Sequence, residues 1–82
     1  MNLIRVLING FKGRMGQESV KAVSLDPELD LVAQTDLDDN LQEIIQKTKA
    51  QVVLDFTHAN VVMEITECII KSGARPVIGT SG

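Results

Sequence analysis

Short apolar runs recur along the chain, and the spacing of apolar positions changes between them. "LIRVLI" (Leu3 to Ile8) is apolar on both phases of its alternation, as a strand buried on both faces is. From Arg14, the positions Met15, Ser19, Val20 and Val23 fall at helical spacing until "SLDPE" stops the helix at Asp26-Pro27. "LDLVAQT" (Leu29 to Thr35) predicts a second strand. After the acidic "DLDDN", a short helix carries Leu41, Ile44, Ile45 and Thr48 on one face. "QVVLDF" (Gln51 to Phe56) reads as a third buried strand. Val61, Val62, Ile65, Cys68 and Ile69 then form one helical stripe, ended by Gly73 of "KSG". "RPVIG" (Arg75 to Gly79) is a fourth strand.

Strand and helix alternate throughout, which predicts an α/β fold. It should be a Rossmann-like, doubly wound parallel sheet of about four strands with helices on both faces. The closing "GTSG" (Gly79 to Gly82) supplies small and hydroxyl-bearing residues of the kind that open a helix. Residues 1–82 are therefore read as one N-terminal domain of a longer protein, truncated before a second domain.

Composition narrows this reading. Eighty-two residues, 44% of them hydrophobic, with a net charge of -3, suit a single domain with a small core. Lys and Arg are scattered and never form a stripe, so no nucleic-acid surface is expected. No run is long enough to cross a membrane, and Leu3 to Ile8, short and interrupted by Arg5, is no secretory leader. One cysteine, Cys68, excludes an internal disulfide and fits a reducing cytoplasm. It lies on the core stripe and reads as a small buried hydrophobe.

Chemistry in a doubly wound sheet sits outside the carboxyl ends of the strands. Four polar clusters fall there: "NGFKGRMG", Asp36, "DFTHAN" and "GTSG". In the first, Gly10 permits a tight turn, Gly13 a close backbone approach, and Gly16 close packing of helix on strand. Together with a helix N-terminus, such a loop offers peptide N–H groups to a pyrophosphate. The pattern is GxxGxxG, with Lys12 at the second position of the usual GxGxxG, and a tight turn without a ligand is the bland alternative. Lys12 and Arg14 add cations. Asp36, about twenty residues on, stands where a carboxylate accepts hydrogen bonds from an adenosine ribose. With Leu37 in place of an arginine, it favours NAD over NADP. Asp38 and Asp39 read as a solvated loop with a helix cap. Thr57 or Asn60 is a candidate cap for the next helix, and His58, the one histidine, an exposed loop residue. No catalytic or metal-ligating set is expected within these residues.

"NGFKGRMG", "DFT" before a helix, and "VIGTSG" stand in an order and spacing that resembles the N-terminal domain of the dihydrodipicolinate reductase family. These are the 4-hydroxy-tetrahydrodipicolinate reductases of diaminopimelate and lysine biosynthesis. The resemblance runs over essentially all 82 residues, under half of a family member. It implies that Gly10, Phe11, Lys12, Gly13, Arg14 and Met15 form a pyrophosphate loop and that Asp36 is the ribose position. It further implies that Asp55, Phe56 and Thr57 line the same cleft and that Gly79, Thr80 and Ser81 contact the nicotinamide end. Hydride transfer from NADH or NADPH to a cyclic dicarboxylate, and a homotetramer in the cytoplasm, are implied for the full-length protein. Two departures stand out. The segment after Asp36 is short, so a strand often found there is expected to be missing. The family's His-His-x-x-Lys and Ser-Gly-Thr segments would lie downstream of Gly82, so the chain alone is expected to be inactive. The alternatives are another NAD(P)-dependent amino-acid or semialdehyde dehydrogenase, a non-catalytic dinucleotide-sensing module, or a scaffold that binds nothing well.

Overall fold

Val6 and Ile8 point to one side of their strand and Leu7 to the other, and all three are buried, so that strand has helices packed on both of its faces. The computed structural model describes residues 2–79. The strand is β1 (Ile4–Asn9), followed by α1 (Arg14–Leu25), β2 (Leu29–Thr35), α2 (Leu41–Thr48) and β3 (Val52–Asp55). A single 3-10 turn (Ala59–Val61) then runs into α3 (Val62–Lys71), and β4 (Arg75–Ile78) follows. All pairings are parallel, in the order β2-β1-β3-β4.

From β1 the chain moves one way to β2, then turns back past β1 to β3 and on to β4. Right-handed crossovers therefore put α1 on one face and α2 and α3 on the other. Packing follows that division. Val6 and Ile8 cluster with Val23 of α1. Leu7 and Val53 cluster with Ile45 of α2 and Ile69 of α3. This is the Rossmann-like, doubly wound α/β fold that the alternation predicts, and its direction reverses between β1 and β3.

Boundaries shift by a residue. Leu3 has no ladder partner, and the first pair is Ile4 with Leu29; at the other end Asn9 still pairs with both Thr35 and Asp55, so β1 gains a polar last residue. β3 spans Val52–Asp55 rather than Gln51 to Phe56, and the Gln51 side chain accepts the Arg5 N–H at 3.0 Å. β4 stops at Ile78 rather than Gly79, and Val61 belongs to the 3-10 turn rather than to α3. Cys68 is half-buried rather than sealed in the core.

Helix caps differ more. Asn40, not Asp38 or Asp39, caps α2, its side chain accepting the Glu43 N–H at 3.1 Å. Asp39 instead turns back and accepts the Asp36 N–H at 2.8 Å. Neither Thr57 nor Asn60 caps the 3-10 turn or α3, which begin without a side-chain cap. The Thr57 hydroxyl is taken up by Asp55. Residues 36–40 form no strand, as their shortness suggests. Among the described residues no helix is long and apolar enough to cross a membrane.

Candidate functional site

A row of polar side chains closes the carboxyl ends of three neighbouring strands, β2, β1 and β3. Asn9, Thr35 and Asp55 are register partners, and all three are buried. The Thr35 hydroxyl donates to Asn9 Oδ1 at 2.8 Å, and Asn9 Nδ2 donates to Asp55 Oδ1 at 3.0 Å. The Thr57 hydroxyl donates to the Asp55 carboxylate at 2.9 Å, and the Thr57 N–H lies 3.4 Å from Oδ1. No buried side-chain nitrogen or oxygen among the described residues lacks a partner.

The glycine loop rises directly from this row. Gly10 takes φ +81°, which an L side chain rarely adopts, and its N–H donates to the Thr35 carbonyl at 2.8 Å. A Cβ at Gly10 would also stand 3.0 Å from the Phe56 carbonyl carbon, so the two loops touch through backbone. Gly16 is needed for close approach: its Cβ would lie 2.3 Å from the Gly10 carbonyl oxygen. The helix therefore packs against the loop backbone, where the sequence suggested packing on the strand. The Gln17 side-chain amide holds the loop from the other side, donating to the Phe11 carbonyl at 2.7 Å.

Gly13 is different. It is the N-cap of α1 with an ordinary φ of -72°, and a Cβ there would meet only the Gly10 oxygen, at 3.9 Å. Among the described residues, nothing stands close enough to this position to require a glycine. No side chain caps α1, and its first turn carries no acid. The N–H groups of Arg14, Met15 and Gly16 thus have no intrahelical acceptor, and the positive end of the helix dipole is left open beside Gly13. Arg14 and Met15 are exposed around it.

Asp36 follows the row from β2. Lys12 Nζ lies 3.4 Å from its Oδ2 and 6.0 Å from the Phe11 ring centroid. Leu37 is exposed beyond it. From β3 come Phe56, half-buried, and Thr57, buried. The Phe56 ring occupies the space over Gly79, where a Cβ would fall 2.5 Å from its Cε1, and the Gly79 N–H donates to the Asp55 carbonyl at 2.8 Å. The structure thus brings Gly10 to Met15, Asp36, Phe56, Thr57 and Gly79 to one end of the sheet. Thr80 and Ser81 lie outside the described residues. His58 is exposed. Among the described residues no three His, Cys or carboxylate groups gather as metal ligands.

Asn9 and Thr35 were not expected here. Their signal was a polar residue closing each apolar run, and only strand register turns that into a contact. A wide depression of about 980 Å³ opens at the opposite end of the sheet, lined by Arg5, Lys49 and Arg75 among others. It lies where α2 and α3 end, so those cations offset the negative ends of two helix dipoles. The glycine-loop end has the opposite character. It offers unpaired N–H groups to an anion and a carboxylate to accept hydroxyl groups, and it stands where the strand order reverses.

Comparison with known proteins identifies the family and the fold. The family model described as dihydrodipicolinate reductase, N-terminus, matches residues 4–82. A 4-hydroxy-tetrahydrodipicolinate reductase of Coxiella burnetii (strain Dugway 5J108-111) is 47% identical over 79 residues, covering 96% of this chain and 33% of that protein. One from Legionella pneumophila (strain Corby) is 45% identical over 78 residues, covering 95% and 32%. Among solved structures, a dipicolinate-bound dihydrodipicolinate reductase from Paenisporosarcina sp. TG-14 superposes with a TM-score of 0.85 at 32% identity, covering 98% of this chain and 38% of that one. The chain spans about a third of the length of the curated relatives it matches.

Proposed function

We propose, because this chain belongs to the family of dihydrodipicolinate reductase N-terminal domains, that residues 1–82 are the dinucleotide-binding part of a 4-hydroxy-tetrahydrodipicolinate reductase. The full-length protein would reduce a cyclic dicarboxylate in diaminopimelate and lysine biosynthesis, as a cytoplasmic homotetramer. A bound nicotinamide supplies the hydride. This chain's residues bind and orient the cofactor. The N–H groups of Arg14, Met15 and Gly16 would hold the pyrophosphate, with Gly13 leaving room for it and Phe11 lining the loop. Asp36 would accept the ribose hydroxyl groups. Phe56, Thr57 and Gly79, followed by Thr80 and Ser81, would border the nicotinamide end. The family's His-His-x-x-Lys segment is not among these 82 residues, so reduction needs residues beyond them.

The observation that carries this reading is the open N-terminus of α1. It has neither a side-chain cap nor an acid in its first turn, and it adjoins a glycine that no contact among the described residues requires. On cofactor choice, we favour NADH. Asp36 is already paired with Lys12, so a 2′-phosphate would have to displace that cation from the carboxylate while facing Asp36, Asp38 and Asp39. Arg14 remains a candidate cation for NADPH.

Parallel fluorescence titrations of the chain with NADH and NADPH at low salt test the proposal. We expect saturable binding of both, tighter for NADH. Gly13→Val should abolish binding with the fold retained, and Asp36→Ala should weaken NADH more than NADPH. A folded Gly13→Val chain that binds as well as the unmodified one would sink the assignment of the loop.

A further inference from the structure

The polar row under the glycine loop costs more than an apolar one would, because buried polar groups are tolerated only when fully hydrogen-bonded. Leucine or valine at these positions would serve the core as well. What the row adds is a fixed relation among three strand ends. Every residue assigned to the cofactor on β1, β2 and β3 begins one place after a member of the row: Gly10 after Asn9, Asp36 after Thr35, Phe56 after Asp55. Backbone bonds cross at the same level. The Gly10 N–H donates to the Thr35 carbonyl at 2.8 Å, and the Phe56 N–H to the Asn9 carbonyl at 2.9 Å.

Asn9 is the centre of this arrangement. Its amide is engaged at both ends, accepting from Thr35 and donating to Asp55. Asp55 Oδ1 already receives the Thr57 hydroxyl, so it is an acceptor, and the amide nitrogen of Asn9 must face it.

We propose that Asn9 is a positioning residue. It clasps β2 and β3 so that the glycine loop and the Phe56–Thr57 turn are held at the separation a dinucleotide spans. The inference rests on the cofactor reading above, but the clasp itself can be measured without cofactor. Asn9→Asp is isosteric and sets an acceptor against an acceptor. Adding Asp55→Asn restores one donor and one acceptor with their polarity reversed.

Amide hydrogen exchange of the cofactor-free chain provides the first readout. In Asn9→Asp, exchange at the Gly10 and Phe56 amides should rise about tenfold relative to the Ala74 amide, which is bonded to the Ile69 carbonyl at the far end of α3. In Asn9→Asp/Asp55→Asn it should return to the original ratio. The second readout is NADH affinity at a temperature where every variant is folded. It should fall about tenfold in Asn9→Asp and recover in the double variant. Should Asn9→Asp fail to fold, Asn9→Ala removes both bonds without adding a charge and should show the same local acceleration.

Exchange that rises equally at Gly10, Phe56 and Ala74 would make Asn9 merely structural and overturn the proposal. So would unchanged exchange at Gly10 and Phe56, or no recovery in the double variant. An unmodified chain that binds no NADH, with the exchange pattern as described, would overturn the cofactor reading and leave the clasp standing.

Discussion

Gly13 and Gly16, at the start of α1, have opposite reasons for being glycine, and substitution separates them. Gly16→Ala drives a Cβ to 2.3 Å from a backbone oxygen. It should destabilise the chain by about 1–3 kcal/mol, read from the denaturant midpoint. Gly13→Ala meets nothing nearer than 3.9 Å, so its stability should stay within about 0.5 kcal/mol, while NADH titration should show weaker binding. Asp36→Ala belongs to the second kind. The Lys12 ammonium that pairs with it is well exposed, so losing the pair should cost less than about 1 kcal/mol in the same denaturation experiment. The glycine spacing and the lone acid after a strand were legible in the sequence because they are local. The bonds among Asn9, Thr35 and Asp55 were not, since they join residues 26 and 46 positions apart. The cap reading of Thr57 fails for a different, local reason: Asp55, only two residues away, takes the hydroxyl that the next helix could have used.

At the scale of elements, existence and type followed from apolar spacing, whereas the ends depended on which side chain reached which backbone group. Asn40 and Glu43 form a short capping pair at the start of α2. Asn40→Ala should cost about 1 kcal/mol, measured by thermal or denaturant unfolding. The other end of α2 has no glycine to announce it. Lys49 itself takes the left-handed conformation, φ 56°, and its carbonyl accepts the Arg5 Nε–H at 2.7 Å. Lys49→Gly keeps that bond and removes the Cβ strain, while adding freedom to the unfolded chain. A net gain of about 0.5–1 kcal/mol is expected. The contrast with Gly73, φ +88°, where α3 ends on a glycine visible in the sequence, explains why one stop was legible and the other was not.

For the molecule as a whole, the radius of gyration is 11.6 Å, against about 11.7 Å for a compact domain of this length. The 82 residues thus pack as densely in outline as a complete small domain does, and the core on each face is thin. Leu7 is fully buried among α2, α3 and β3. Leu7→Ala should cost about 2–5 kcal/mol, a large part of the roughly 5–15 kcal/mol that holds such a domain together, and denaturant unfolding would show it as a collapse of the midpoint. The strand order has a further consequence in time. β1 is made first yet sits between β2 and β3, and Asn9 waits for Asp55, 46 residues later. At about 5–20 residues per second of synthesis, that is a delay of roughly 2–9 s during which Val6, Leu7 and Ile8 lack one neighbouring strand. During that interval, this apolar segment of the nascent chain is the natural target for a chaperone that holds unfolded protein.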